Sequence, residues 1–157
     1  MMLGLLRLSQ QNAPAALEAL GRAAALAPRD FLIQFVCGVS RVRADPRGSD
    51  ERRRLALATL KQAVSLNGAS SDAYATLAYL QMLSDDTLAD ARTSIEHAIA
   101  LAPGRLDYRI RYADVRLLQG DIDAARSVLT SIAAIKFDSL SAAAAKERLD
   151  AIRRTAR

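Results

Sequence analysis

Small and large apolar residues recur four apart along the chain, as Ala16/Leu20, Ala56/Leu60, Ala91/Ile95 and Ala125/Leu129. Residues four apart lie on one face of a helix, so each pair marks a helix stripe aimed at a core. A tail of common form follows each pair: Ala23–Pro28, Ala63–Gly68, Ala98–Pro103 and Ile132–Phe137. A large-then-small pair precedes each: Leu3-Gly4, Cys37-Gly38, Leu77-Ala78 and Tyr112-Ala113. From Gly4 to Ala113 the small residues are spaced 34, 40 and 35 apart, and from Ala16 to Ala125 the spacing is 40, 35 and 34. Both series fit a 34-residue repeat with one insertion of six residues and one of a single residue. Self-similarity at this period is the mark of stacked supersecondary units.

Local signals divide each repeat into two helices. The pattern predicts helices over 2–11, 13–27, 31–44, 50–66, 72–83, 87–101, 106–118 and 122–135. Asn12, Asp30, Ser49, Asp86 and Asp121 stand where a side-chain oxygen can cap a helix start. Pro28 and Pro103 end second helices, because proline cannot continue the hydrogen-bond ladder. The insertion Pro46–Glu51 is expected mostly to lengthen the fourth helix. Residues 139–157 form no further pair. Ala145, Leu149, Ile152 and Ala156 make one narrow apolar stripe, expected to pack around Val128, Ile132 and Ile135 as a polar-backed end cap.

The chain resembles the tetratricopeptide repeat family, up to about residue 138. In the third repeat, Tyr74, Leu77, Ala78, Ala91, Ile95 and Pro103 fall on the family's aromatic, leucine, small, alanine, bulky and proline places, with one extra residue near Asp85-Asp86. The fourth has Gly120-Asp121 in its inter-helix turn but Phe137 at the proline place, and the second has Gly68 there. Arg7, Arg41, Gln81 and Arg116 replace the family's first-helix tyrosine. The resemblance implies an all-α, right-handed α-solenoid of about four helix pairs plus a C-terminal capping helix. It implies one domain, 1–157, with repeats at about 1–30, 31–70, 71–105 and 106–138 and the cap at 139–157.

Composition agrees with a helical core. Of 157 residues 51% are apolar, and Ala (32) and Leu (23) dominate while aromatics are 4%, which argues against an all-β fold and against disorder. The net charge of +5 comes from 22 basic residues, 19 of them Arg, against 17 acidic ones. That balance permits anionic partners. The densest charge, Arg52-Arg53-Arg54 with Arg41, Arg43 and Arg47, reads first as a solvated helix face, since consecutive helical residues fan out around the axis. Asp45, Asp50 and Glu51 neutralise part of it.

Enzyme signatures are missing: the sequence has no phosphate-binding glycine loop, no H-E-x-x-H and no G-x-S-x-G. His97 is the single histidine and reads as a surface residue. Cys37, the single cysteine, reads as a small core hydrophobe. Asp85-Asp86 and Asp121–Asp123 are explained by capping rather than by cation binding. No metal or cofactor is expected, and no stretch approaches the ~20 apolar residues of a membrane span.

The expected function is a non-enzymatic scaffold that binds a protein or peptide segment, with nucleic acid disfavoured. By the resemblance, the first helix of each repeat lines a concave groove. The candidates are Leu5 and Leu8; Leu32, Phe35, Val39 and Val42; Asp72, Ala75, Tyr79 and Met82; and Asp107, Ile110, Asp114 and Leu117. Arg29 and Arg105 stand at its edge. The family's carboxylate-clamping lysine and asparagine pattern is missing at these places. An alternative is an accessory repeat domain of a larger enzyme or secretion assembly, because repeat one lacks its opening residues. Leu3, Leu5, Leu6 and Leu8 crowd that end and predict self-association or docking on a preceding domain. The expected setting is soluble, with cytoplasm favoured and periplasm the choice for an excised fragment.

Overall fold

The computed structural model describes residues 13–44, 49–136 and 138–155. The expected helix 2–11, the cap Asn12, the leucines at 3, 5, 6 and 8, and Arg47, Phe137 and Ala156 lie outside them. Among the described residues the fold is all-α. The helices are α1 (Ala13–Leu26), α2 (Phe31–Ala44), α3 (Asp50–Leu66), α4 (Ser71–Gln81), α5 (Leu88–Leu101), α6 (Leu106–Leu118), α7 (Ile122–Ala133) and α8 (Ser139–Thr155). No described helix is long and apolar enough to cross a membrane. The chain divides into two compact units, Met1–Leu80 and Gln81–Arg157, so the boundary falls at the end of α4, inside the third repeat.

In the first unit α1 packs on α2 and α2 on α3. The sequence pairs Ala16/Leu20 and Ala56/Leu60 are buried together with Cys37. Gly38 shows why the repeat needs a small residue here. A Cβ added at Gly38 would sit 2.7 Å from Leu60 Cδ2 and 2.8 Å from its Cγ, inside van der Waals contact. The α1 C-terminus leaves backbone carbonyls without helical partners. Buried Gln34 donates to two of them, Ala24 O at 2.9 Å and Ala27 O at 3.4 Å.

In the second unit α5 packs on α6, α6 on α7, and α8 on both α6 and α7. Ala91, Ile95 and Ala98 of α5 are buried, as are Ala125, Leu129 and Ile132 of α7. The Gln81 and Ser94 side chains are buried, and the Ser94 hydroxyl donates to Gln81 Oε1 at 2.7 Å. Gly120 turns the chain out of α6 with φ 80, a conformation that favours glycine. Gly120 N then donates to Leu117 O and Asp121 N to Arg116 O, capping the helix end.

The caps divide into those that hold and those that do not. Asp30 accepts from Ile33 N at 3.0 Å and Asp121 from Ala124 N at 3.1 Å. Ser49 stands at the start of α3 but makes no side-chain cap bond; Asp50 and Glu51 in the first turn meet the positive helix end instead. Asp86 is not the cap of α5. The extra residue of this repeat is taken up in a 3-10 turn, Asp85–Thr87, whose Thr87 hydroxyl donates to Gln81 O at 2.6 Å. Ser70 and Asp138 are caps the pattern did not flag, accepting from Ala73 N and Ser141 N. α4 and α7 each end two residues earlier than expected.

Candidate partner-binding surface

The first helices present different chemistry in the two units. On α2, Cys37 and Gly38 are buried, while Leu32 stays 49% exposed and Phe35 and Val39 are half-buried. Leu32, Phe35 and Val39 follow the i, i+3, i+7 spacing of one helix face. The Phe31 and Phe35 rings stack at 5.7 Å, which stiffens the start of that face. On α4, Asp72 is exposed and Tyr79 half-buried. Val42 and Ala75 are buried and offer a partner almost no surface. Arg29 is exposed just before α2, and Met82, the first residue after α4, is half-buried.

On α6 the expected groove residues are engaged within the protein. Ile110 is buried in a cluster with Ala113, Ala125, Leu129, Ile132, Ala145 and Ile152, and Leu117, Val128 and Leu149 pack against it. Asp114 accepts two hydrogen bonds from Arg148 of α8, Nε to Oδ1 at 2.5 Å and Nη2 to Oδ2 at 2.9 Å. The helix that shields the last repeat therefore takes up the Ile110, Asp114 and Leu117 face of α6. At the start of α6, Arg105 holds exposed Asp107 with two bonds of 2.9 and 2.8 Å. Its guanidinium lies 4.4 Å from the Tyr108 ring centroid. Arg105 beside it holds the Asp107 carboxyl below its ordinary range, against the opposing effect of burial.

Arg148 is the residue the sequence reading missed. Its signal was the interval: Arg148 follows Asp114 by 34 residues, one repeat length. That offset gives α8 the place of a fifth first helix, next to the first helix before it. The C-terminal stripe packs on Val128 and Ile132 as expected, with Ala125 and Leu129 added; Ile135 is not in that cluster.

The reactive side chains are where the sequence put them. His97 is exposed and Cys37 is buried, and burial raises the Cys37 thiol above its ordinary range against the lowering influence of Arg41. Among the described residues no group of three His, Cys, Asp or Glu side chains is placed to hold a metal ion.

Comparison with known proteins fits this geometry. Residues 82–149 match the tetratricopeptide repeat family model. No curated protein sequence matches the chain. Among solved structures, a crystal structure of MamA aligns with 96% of this chain and 86% of its own, at TM-score 0.76 and 20% identity. MamA 41-end from Desulfovibrio magneticus RS-1 aligns with 83% of this chain and 70% of its own, at TM-score 0.72 and 18% identity. TTC0263, a thermophilic tetratricopeptide repeat protein of Thermus thermophilus, aligns with 82% and 68%, at TM-score 0.66 and 22% identity. Residues 82–149 thus match the tetratricopeptide repeat, and nearly the whole chain shares the helical-repeat fold of these solved structures.

Proposed function

We propose that this protein is a non-catalytic scaffold that binds a protein segment on the first-helix faces of its N-terminal unit. The carrying observation is the uncovered apolar surface of α2, where Leu32, Phe35 and Val39 keep surface while the opposite face of the same helix is buried. Tyr79 of α4 adds a side chain that suits an apolar anchor and can also hydrogen-bond. The equivalent part of α6 is occupied by α8, so the proposed surface is narrower than the set of first helices. Apolar anchors entering such a surface are a recurrent way of recognising a peptide.

Site-specific photo-crosslinking tests it. A photoreactive phenylalanine analogue at Leu32 or Tyr79 should capture the same discrete protein from the source lysate. The analogue at exposed Arg92, on the second helix α5, should not. Equal capture from all three positions, or capture unaffected by Phe35→Ala, contradicts the proposed surface.

A further inference from the structure

Asn67-Gly68 is the single Asn-Gly step in the sequence, whose other asparagine, Asn12, precedes alanine. It follows α3 and stands where repeats one and three have Ala27-Pro28 and Ala102-Pro103. The three tails fold alike. Asn67 N donates to Ala63 O at 3.0 Å, as Ala27 N does to Ala23 O and Ala102 N to Ala98 O at the same distance. The carbonyls of Asn67, Ala27 and Ala102 accept from Ser70 N, Asp30 N and Arg105 N at 3.3, 3.2 and 3.1 Å. Alanine serves in two of the tails, so the fold does not call for the Asn67 amide.

Repeat two instead sets an amide beside an open backbone nitrogen. Proline has no N–H at this place, and among the described residues the Gly68 N–H meets no acceptor. Gly68 is exposed and uncrowded: a Cβ there would meet Val64 O only at 3.9 Å and Tyr74 Oη at 4.0 Å. Asn67 Oδ1 accepts from Ala69 N at 3.0 Å. A donor on that oxygen stabilises the negative charge that develops there when a nucleophile attacks Cγ. A ψ of 89 at Asn67, however, turns the Gly68 nitrogen away from Cβ and so from Cγ. Attack therefore requires rotation about the Asn67 Cα–C bond, which breaks the bond from Ser70 N to Asn67 O. A turn held by so few hydrogen bonds opens at low free energy.

We propose that Asn67 is a self-modification site, converted to isoaspartate and aspartate by its own Gly68 backbone nitrogen when the α3–α4 turn opens. The Gly68 nitrogen gives its proton to solvent base and forms a bond to Asn67 Cγ. The Cγ–Nδ2 bond breaks, and ammonia leaves with a proton from water, closing a five-membered imide. Water then adds to one of the two imide carbonyls. Cleavage at Cγ yields aspartate. Cleavage at the α-carbonyl yields isoaspartate, in which the main chain runs through the side-chain carbon. Either product carries a new carboxylate, and isoaspartate adds one main-chain carbon between α3 and α4. The reaction draws on no residue of the Leu32–Tyr79 surface, so the two proposals stand or fall separately.

The test is incubation of the intact chain in warm, mildly alkaline heavy-oxygen water, followed by peptide mapping with mass spectrometry and enzymatic methylation of isoaspartate. Asparagine conversion should be confined to residue 67, give both products and incorporate one heavy oxygen. Two hydrogen bonds restrain the native turn, so the folded chain should react roughly tenfold to a hundredfold more slowly than the same chain unfolded in urea. Gly68→Pro rebuilds the tail of repeats one and three, carries no N–H, and should stop the reaction folded or unfolded. Gly68→Ala, for which the structure has room, keeps the N–H and should slow the reaction without stopping it. Circular dichroism confirms that each variant is folded before urea is added. Equal rates in the folded and unfolded chain, or continued conversion in Gly68→Pro, would overturn the proposal. So would a folded chain slower than the unfolded one by more than about a thousandfold, which exceeds what two such bonds supply.

Discussion

Arg148 clasps Asp114 with two hydrogen bonds across one repeat interval of 34 residues, joining the last helix to the first helix of repeat four. The pair is partly buried, with side-chain exposures of 32% and 24%. Being bidentate and charge-assisted, it should stabilise α8 by about 1–2 kcal/mol, above the ~0.2–1 kcal/mol of an exposed ion pair. Arg148→Met and Asp114→Asn should each lower stability by that order, and the double variant should lose less than the sum. A denaturant double-mutant cycle checks this. Strict additivity would mean that the clasp does not hold α8.

Gly38 and Leu60 lock the helix pair of repeat two. Alanine is a better helix former than glycine by ~1 kcal/mol, so an unconstrained Gly38→Ala would stabilise. Here the new Cβ meets the fully buried Leu60, and overpacking costs ~1–3 kcal/mol. The prediction is net destabilisation by a margin on the order of 1 kcal/mol, relieved when Leu60→Val is added. Thermal melts of the single and double variants decide the sign.

The fold was legible because its determinants are periodic. Ala56/Leu60 and Ala91/Ile95 disclose helix faces whatever the partner is, and proline or glycine punctuates the turns. The candidate site was less so. A first-helix position says which face a side chain occupies, but not what packs over it. Ile110 and Asp114 read as groove residues until the C-terminal helix is seen against them. The arginine cluster reads as a solvated helix face, and Arg52 and Arg54 are exposed, but pattern along one helix cannot show that Arg41 of α2 lines one cavity with Arg52 and Arg53.

Cys37 should be slow to react in the native protein. A thiol attacks as its thiolate, and burial both raises the Cys37 pKa and blocks access. Native protein should resist Ellman's reagent near neutral pH, while protein unfolded in guanidinium reacts promptly. Equal rates in both states would contradict the packing of α2 on its neighbours.

Asp107 and Asp138 tie stability to acid. The Asp107 carboxyl is held low first by Arg105, and that of Asp138 first by the Ser141 backbone N–H and then by its hydroxyl. A depressed folded pKa contributes stability that is complete above the ordinary 3.8 and is lost as pH falls through the lower folded value. The double variant Asp107→Asn/Asp138→Asn should therefore be less stable than the parent at neutral pH, with the gap closing on acidification. A gap that stays constant across the acid limb would rule out this linkage.

Hydrogen exchange by mass spectrometry on Leu149→Asp tests the account most directly, because repeats that contact mainly their neighbours should fail locally. Leu149 packs against the cluster shared by α6, α7 and α8, and burying such a side chain is worth ~1.5–3 kcal/mol. A charge there should speed exchange from about residue 106 to 155 while residues 13–80 keep the parent's protection. Uniform loss of protection across all described residues would show one cooperative globule and contradict the nearest-neighbour packing from which both the helix cap and the partner surfaces are argued.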